Sequence, residues 1–268
     1  MCPQADWGGR VPHYTQVGSR SSLTCQKPGA SILWYVTGCT PPLPSGGGSE
    51  AAARQPQHFM PTVNAYIDGF NFYYGCVKST PYKWLDLSKL CHLLLPKGFQ
   101  LSRIRYFTAR VAGLPGNIDA TTRQNIYLRA LATLPNVEVV FGHFLGHKVM
   151  MPLADPPAVG PRFVRVLKTE EKGSDVNLAS QLLLDAFTRA CDAALIISND
   201  SDLLSPIRIA RGRFGLRIIL ANPHKKHSAV LIREADYVRQ IRQGALKASQ
   251  FPDTLTDAVG SFHKPDRW

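Results

Sequence analysis

The chain has 268 residues, 44% of them hydrophobic, which suits one α/β core of ordinary size with sequence left over at its ends. Its formal net charge of +12 and isoelectric point near 9.6 favour a polyanionic partner, because phosphate neutralisation supplies most non-specific nucleic-acid affinity. Six cysteines give no C-x-x-C pair and no disulfide-like framework, no basic-then-apolar opening marks a secretory signal, and Ile32–Val36 is too short to span a bilayer, so the expected setting is a reducing cytoplasm away from membranes.

Residues 1–59 hold few periodic apolar runs and an SGGGSEAAARQ stretch, the composition of a disordered extension or of translation from a start upstream of Met60. Arg10, Arg20, Lys27 and Arg54 against Asp6 and Glu50 put +2 there and leave +10 beyond. Residues 60–245 form the expected domain. A strand over 63–68 is followed by a helix over 85–95, a strand over 102–110, a helix over 121–133 stopped by Pro135, and a strand over 137–141. The stretch 142–168, rich in Gly and Pro, is expected as a long loop of the kind that serves as a lid or binding loop. A helix over 175–190, a strand over 193–197, a helix over 202–211 and a strand over 216–220 complete a β-α alternation, and a short helix near 228–234 leads into Tyr237–Ile241. This order predicts a mostly parallel sheet between two helical layers. Residues 246–268 are expected to be a loosely ordered C-terminal tail.

Asp68 ends the first strand, Asp175 opens a helix, and Asp200 and Asp202 follow the apolar run Ala193–Ile197. The carboxyl edge of a parallel sheet is where α/β folds place their sites. Taken singly, Asp175 and Asp202 read as helix caps. As a set they are unusual, since two unit charges about 4 Å apart at an effective dielectric near 20 cost about 4 kcal/mol. A divalent cation among them would remove that cost. Asp185 falls about 80° off the face of Asp175 at about 100° per residue, and Asp192 lies at the opposite edge of the sheet, so neither joins the set. His143 and His147 are four apart, but Gly142 and Gly146 oppose the helix that a metal pair would need.

The blocks Tyr66-Ile67-Asp68-Gly69-Phe70-Asn71-Phe72, Tyr106–Arg110, Glu171–Val176 and Ser198–Leu203 resemble, in order and spacing, those of the NYN domain family of the PIN-like nuclease superfamily. The resemblance covers roughly residues 61–243. It implies a PIN-like three-layer α/β sandwich and a metal-dependent ribonuclease site in which Asp68, Asp175, Asp200 and Asp202 hold Mg²⁺ or Mn²⁺. Asn71 matches the polar residue of the family's IDG-x-N pattern and is expected to orient a ligand or substrate oxygen. Asn199 stands where many members have Gly, and Asn tolerates the left-handed backbone that a Gly there suggests. Around this acidic centre, Lys172 before an anion-favouring helix N-terminus and Arg208, Arg211 and Arg213 after the last acids are the expected RNA-phosphate contacts. Two rival readings are a non-catalytic RNA-binding or scaffolding module of the same fold and a phosphatase-like hydrolase. The second lacks an acid two residues after Asp68.

Overall fold

A computed structural model describes residues 60–111 and 118–268; the expectation for residues 1–59 lies outside them. The chain runs β1 (Thr62–Asp68), α1 (Gly69–Phe72) continuing into a wider turn over Tyr73–Val77, α2 (Leu87–Leu94), β2 (Gln100–Thr108), α3 (Ala120–Ala132) and β3 (Val137–Phe141). Then come β4 (His143–Pro152), β5 (Phe163–Lys172), α4 (Ser174–Thr188), β6 (Ala193–Ile197), a 3₁₀ turn over Ser201–Leu203, α5 (Leu204–Phe214) and β7 (Arg217–Asn222). The order closes with α6 (Ala229–Glu234), β8 (Tyr237–Gln240), α7 (Gln243–Ala248), β9 (Thr254–Asp257) and β10 (Gly260–His263). Six strands make one all-parallel sheet in the order β3-β2-β1-β6-β7-β8.

The two helical layers follow from strand alternation. Val63, Ala65 and Ile67 of β1, with Leu195 and Ile197 of β6, face a core built with Leu87, Leu90 and Leu94 of α2 and Leu131 of α3. Tyr66, Ala194 and Ile196 face the other way, onto Leu178 and Leu182 of α4 and Ile207 of α5. Strands β1 and β6 have no exposed residue, as expected of central parallel strands covered on both faces. Because the chain leaves β1 toward β2 and leaves β6 toward β7, their outgoing loops part in opposite directions. The crevice between them is the topological switch point of the sheet. Among the described residues, no helix is long and apolar enough to cross a membrane.

Two sequence expectations are corrected. The stretch 142–168 is not a loop: most of it, running on to Lys172, is the antiparallel hairpin β4–β5, paired from His143↔Lys172 to Pro152↔Phe163 and separate from the main sheet. Apolar side chains on both of its faces are exposed, Leu145, Met150, Phe163 and Leu167 among them, so no one-sided alternation marks it in sequence. The segment 246–268 is not a loose tail either. Phe251, Phe262 and Trp268 pack around the buried Trp84, whose indole N–H donates to the Pro252 carbonyl.

Candidate active site

Asp68, the last residue of β1, is almost fully buried and caps α1 by accepting the Asn71 N–H at 3.0 Å. Its other carboxylate oxygen accepts the Ser198 hydroxyl at 2.9 Å. Ser198 Oγ in turn accepts the Asp200 N–H at 3.1 Å, which joins the two loops of the switch point through one buried hydroxyl. Asp200 caps the 3₁₀ turn by accepting the Asp202 N–H at 3.0 Å. The capping roles therefore fall on Asp68 and Asp200. Asp175 and Asp202 sit in first turns without capping them.

Gly69 allows this approach. A Cβ there would stand 2.6 Å from the Phe107 carbonyl oxygen and 2.8 Å from the Tyr106 ring, so no larger residue fits without moving backbone. Gly173 plays the matching part before α4, with φ of +93°, in the left-handed region that Gly enters without steric cost. The N–H of Ser174 at the start of that helix donates to Glu171 Oε1 at 2.9 Å.

Five carboxylates share the edge electrostatically. Burial pushes Asp68 above its ordinary value against the lowering effect of the Asn71 N–H and the Ser198 hydroxyl, and the charges of Asp200 and Glu171 push it further. Asp175 still reaches solvent, yet partial desolvation and the charges of Asp68, Asp200, Glu171 and Asp202 raise it to about 6. Among the described residues, none of the five takes part in an ion pair. An all-oxygen donor set without a counter-charge fits a hard divalent cation by chemistry. Among the described residues no three His, Cys, Asp or Glu side chains form a ready cage. The fit is to an ion that keeps waters and takes one or two carboxylates at a time, as Mg²⁺ commonly does.

The remaining expected residues are placed differently from the carboxylates. Asn71 Oδ1 accepts the Asn199 N–H at 3.0 Å, so its side-chain oxygen fastens one loop to the other. Asn199 has no left-handed backbone: Arg189 is the one non-glycine residue with positive φ among those described. Its side chain is used instead, donating to the Lys226 carbonyl at 3.0 Å and accepting from Asn222 Nδ2 and, at 2.7 Å, the Ser228 N–H. Lys172 is ion-paired to Glu170 at 3.0 Å. Arg208 pairs with Glu234 at 2.8 Å and Arg211 with Asp236 at 3.0 Å. Helix α5 runs from the carboxyl edge back toward the start of β7, so Arg211 and Arg213 in its last turn are carried away from the acids. The exposed Lys225 and Lys226, after β7, stay at the acidic edge through the Lys226–Asn199 bond. Sequence reasoning passed over Ser198, whose type and position look like any polar residue after a strand, and did not count Glu171 among the site acids.

A cavity of about 260 Å³ adjoins this edge, lined by Gly69 and Phe70 immediately after Asp68, by Tyr73, Tyr106 and Tyr127, and by Trp268. The site geometry can be set beside known proteins. Over 231 residues, covering 76% of this chain and 74% of the other, the sequence is 33% identical to 6-hydroxy-3-succinoylpyridine 3-monooxygenase HspA of Pseudomonas putida. A solved protein of unknown function from Vibrio parahaemolyticus is similar at 16% identity and a TM-score of 0.46, over 70% of this chain and 96% of that one. The NYN domain profile matches residues 62–242, the whole parallel sheet with its switch-point acids, and the chain is therefore a member of the NYN domain family.

Proposed function

We propose that this protein hydrolyses RNA phosphodiester bonds with Mg²⁺ or Mn²⁺ as an endoribonuclease of NYN type. The observation that carries the proposal is the gathering of Asp68, Asp175, Asp200, Asp202 and Glu171 at the switch point, none of them ion-paired among the described residues. Asp68, Asp175, Asp200 and Asp202 would hold the metal, with Glu171 beside them. The bound ion supplies Lewis acidity that makes water nucleophilic at neutral pH and offsets charge on the phosphate. Asn71 and Ser198 keep Asp68 and the Asp200 loop in fixed relation, while Asp175 and Asp202, which no such bond fastens, are the side chains that would adjust when an ion arrives. Lys225 and Lys226 are better placed than the α5 arginines to meet the RNA backbone. The test is cleavage of single-stranded and structured RNA by the purified chain. Cleavage should stop with EDTA, return with Mg²⁺ or Mn²⁺, and be lost in Asp200→Asn while the circular dichroism spectrum stays unchanged. Cleavage that survives EDTA would remove the metal, and Asp200→Asn cleaving at the wild-type rate would remove that residue.

A second reading is favoured by the 33% identical relative, a monooxygenase named for a substituted pyridine. The same edge would then serve a small heteroaromatic substrate, with dioxygen giving one atom to the ring and one to water and an external two-electron donor balancing the step. Oxygen uptake with 6-hydroxy-3-succinoylpyridine and a reduced nicotinamide, in the absence of any RNA cleavage, would select this reading.

A further inference from the structure

We infer that the cavity beside the acidic edge is a binding site for a planar aromatic ring bearing an anionic group, whether a nucleobase with its phosphate or a free heteroaromatic acid. The inference stands apart from the choice between the two activities above, because it concerns what the cavity holds and not what the acids do.

Its walls are aromatic on several sides. Phe70 and Tyr74 stack on one another at 6.5 Å between ring centres with planes 15° apart, and Tyr73 stands edge-on to Tyr74 at 5.4 Å. Tyr127 meets Trp268 at 5.6 Å and Tyr106 at 6.4 Å, both edge to face. Such a lining offers ring faces and ring edges to a flat guest, which an aliphatic lining would not. The volume of about 260 Å³ lies just under the usual range for small-ligand clefts, about 300–1,000 Å³, and suits a ligand of one or two rings.

The polar groups give the guest a direction. Lys83 and Arg123 line the cavity and no Asp or Glu does, although the acidic edge begins one residue away at Asp68. Gln124 is held by the Ala109 carbonyl at 2.8 Å and the Val111 N–H at 2.9 Å, and the Tyr127 hydroxyl donates to the Leu85 carbonyl at 3.0 Å. These polar side chains are built into the wall. Lys83, a flexible ammonium on the loop before α2, can follow an anion. A ring carrying a carboxylate or phosphate would place that group with Lys83, away from the carboxylates, since Arg123 already lies 3.9 Å from Asp119. Its body would lie among the tyrosines, and its far edge would face Gly69 and Asp68.

The experiment is titration of the full chain in metal-free buffer, followed by calorimetry and by tryptophan fluorescence, since Trp268 lines the cavity and Trp84 packs on it at 6.1 Å. The probes are pyridine-3-carboxylate, its neutral amide, cyclohexanecarboxylate, adenosine 5′-monophosphate and a short single-stranded RNA. The expected result is that at least one aromatic anion binds tenfold or more tightly than cyclohexanecarboxylate and than the neutral amide. Lys83→Ala should erase the preference over the amide, and Tyr74→Ala, at a side chain 60% exposed and so safe for folding, should erase the preference over the saturated ring. Binding of the nucleotide and RNA identifies the guest as a base. Binding of the pyridine acid alone identifies a free small molecule. Equal affinity for flat and saturated rings, or no binding of any aromatic anion, overturns the inference. Asp200→Asn should bind as the unmodified chain does, so a failure of the proposed cleavage is read separately.

Discussion

Helix α4 carries two acids that the fold treats in opposite ways. Asp185, near its end, is buried and accepts from Asn64 Nδ2 at 2.9 Å, from the Tyr66 hydroxyl at 2.6 Å and from Arg105. Burial alone would raise its pKa, but those hydrogen bonds and the guanidinium hold it below the ordinary carboxylate value. Asp175, ten residues earlier and about 15 Å away along the axis at about 1.5 Å per residue, is pushed up to about 6 by partial desolvation and then by the acids around it. Both face the same side of β1, where Asn64 and Tyr66 serve one and Asp68 crowds the other. A charge that is given every partner it can use is part of the folding apparatus. A charge left among its own kind, on the same helix, is one the fold does not use to hold itself together.

The comparison can be broken most forcefully at Asp185. Removing one partner of a buried pair leaves the other uncompensated, at about 3–5 kcal/mol. Asp185→Ala should lose about that much in urea unfolding, and joining it to Arg105→Met should recover a substantial part. A loss under about 1 kcal/mol would mean that the network around Asp185 is incidental.

At the other end of α4 the sign reverses. Asp175→Asn should equal or exceed the unmodified chain in metal-free thermal stability while abolishing metal-dependent cleavage. The pH dependence sharpens this. Asp175 binds its proton more tightly in the folded chain, at about 6 against an ordinary 3.8, so its ionisation disfavours folding. The penalty is absent below about pH 4, grows as pH rises through 6, and is complete above 7. The melting-temperature difference between Asp175→Asn and the unmodified chain should therefore widen in favour of the variant from pH 4 to 7. Millimolar Mg²⁺ at pH 7 should narrow it. A difference that stays constant with pH would show that Asp175 is not crowded.

The smallest effect is expected at Ser198. Its hydroxyl contributes one hydrogen bond to Asp68 and accepts one from the Asp200 N–H, and a bond of this kind is worth about 1 kcal/mol net, more where the acceptor is charged. Ser198→Ala should cost about 1–2 kcal/mol and lower cleavage without eliminating it. Cleavage at the unmodified rate would mean that the bridge between the two loops serves the fold alone.

The parts of the molecule that were legible in sequence are those governed by local repetition. The runs that became β1, β3 and β6 are short, apolar and bounded by turn residues, and their observed limits fall within a residue of those expected. The four aspartates stood out because each follows a strand or opens a helix on one edge. What sequence hid depends on distant partners. The hairpin β4–β5 pairs only with itself and offers no buried face, so its Gly and Pro residues dominate the reading. The order of 251–268 comes from contacts with Trp84, more than 160 positions earlier. Arg208 and Arg211 looked available because the acids that claim them, Glu234 and Asp236, arrive from beyond β7. For Asn199 the error was chemical: backbone tolerance was weighed, whereas the side chain's three hydrogen bonds fix the position.

Those three bonds concentrate the order of the edge in one residue. Asn199 ties the loop after β6 to the loop after β7 and to the first residue before α6, and Asn71 ties it back to α1, just after β1. Four segments that meet at the carboxyl edge thus share a single hinge pin. Three of them are held by the Asn199 side-chain amide and the fourth by its backbone N–H, so loss of this one residue would release all four. An edge fastened at one residue is rigid only while that residue keeps its bonds, so its order is set by a single position and not by the sum of several loops.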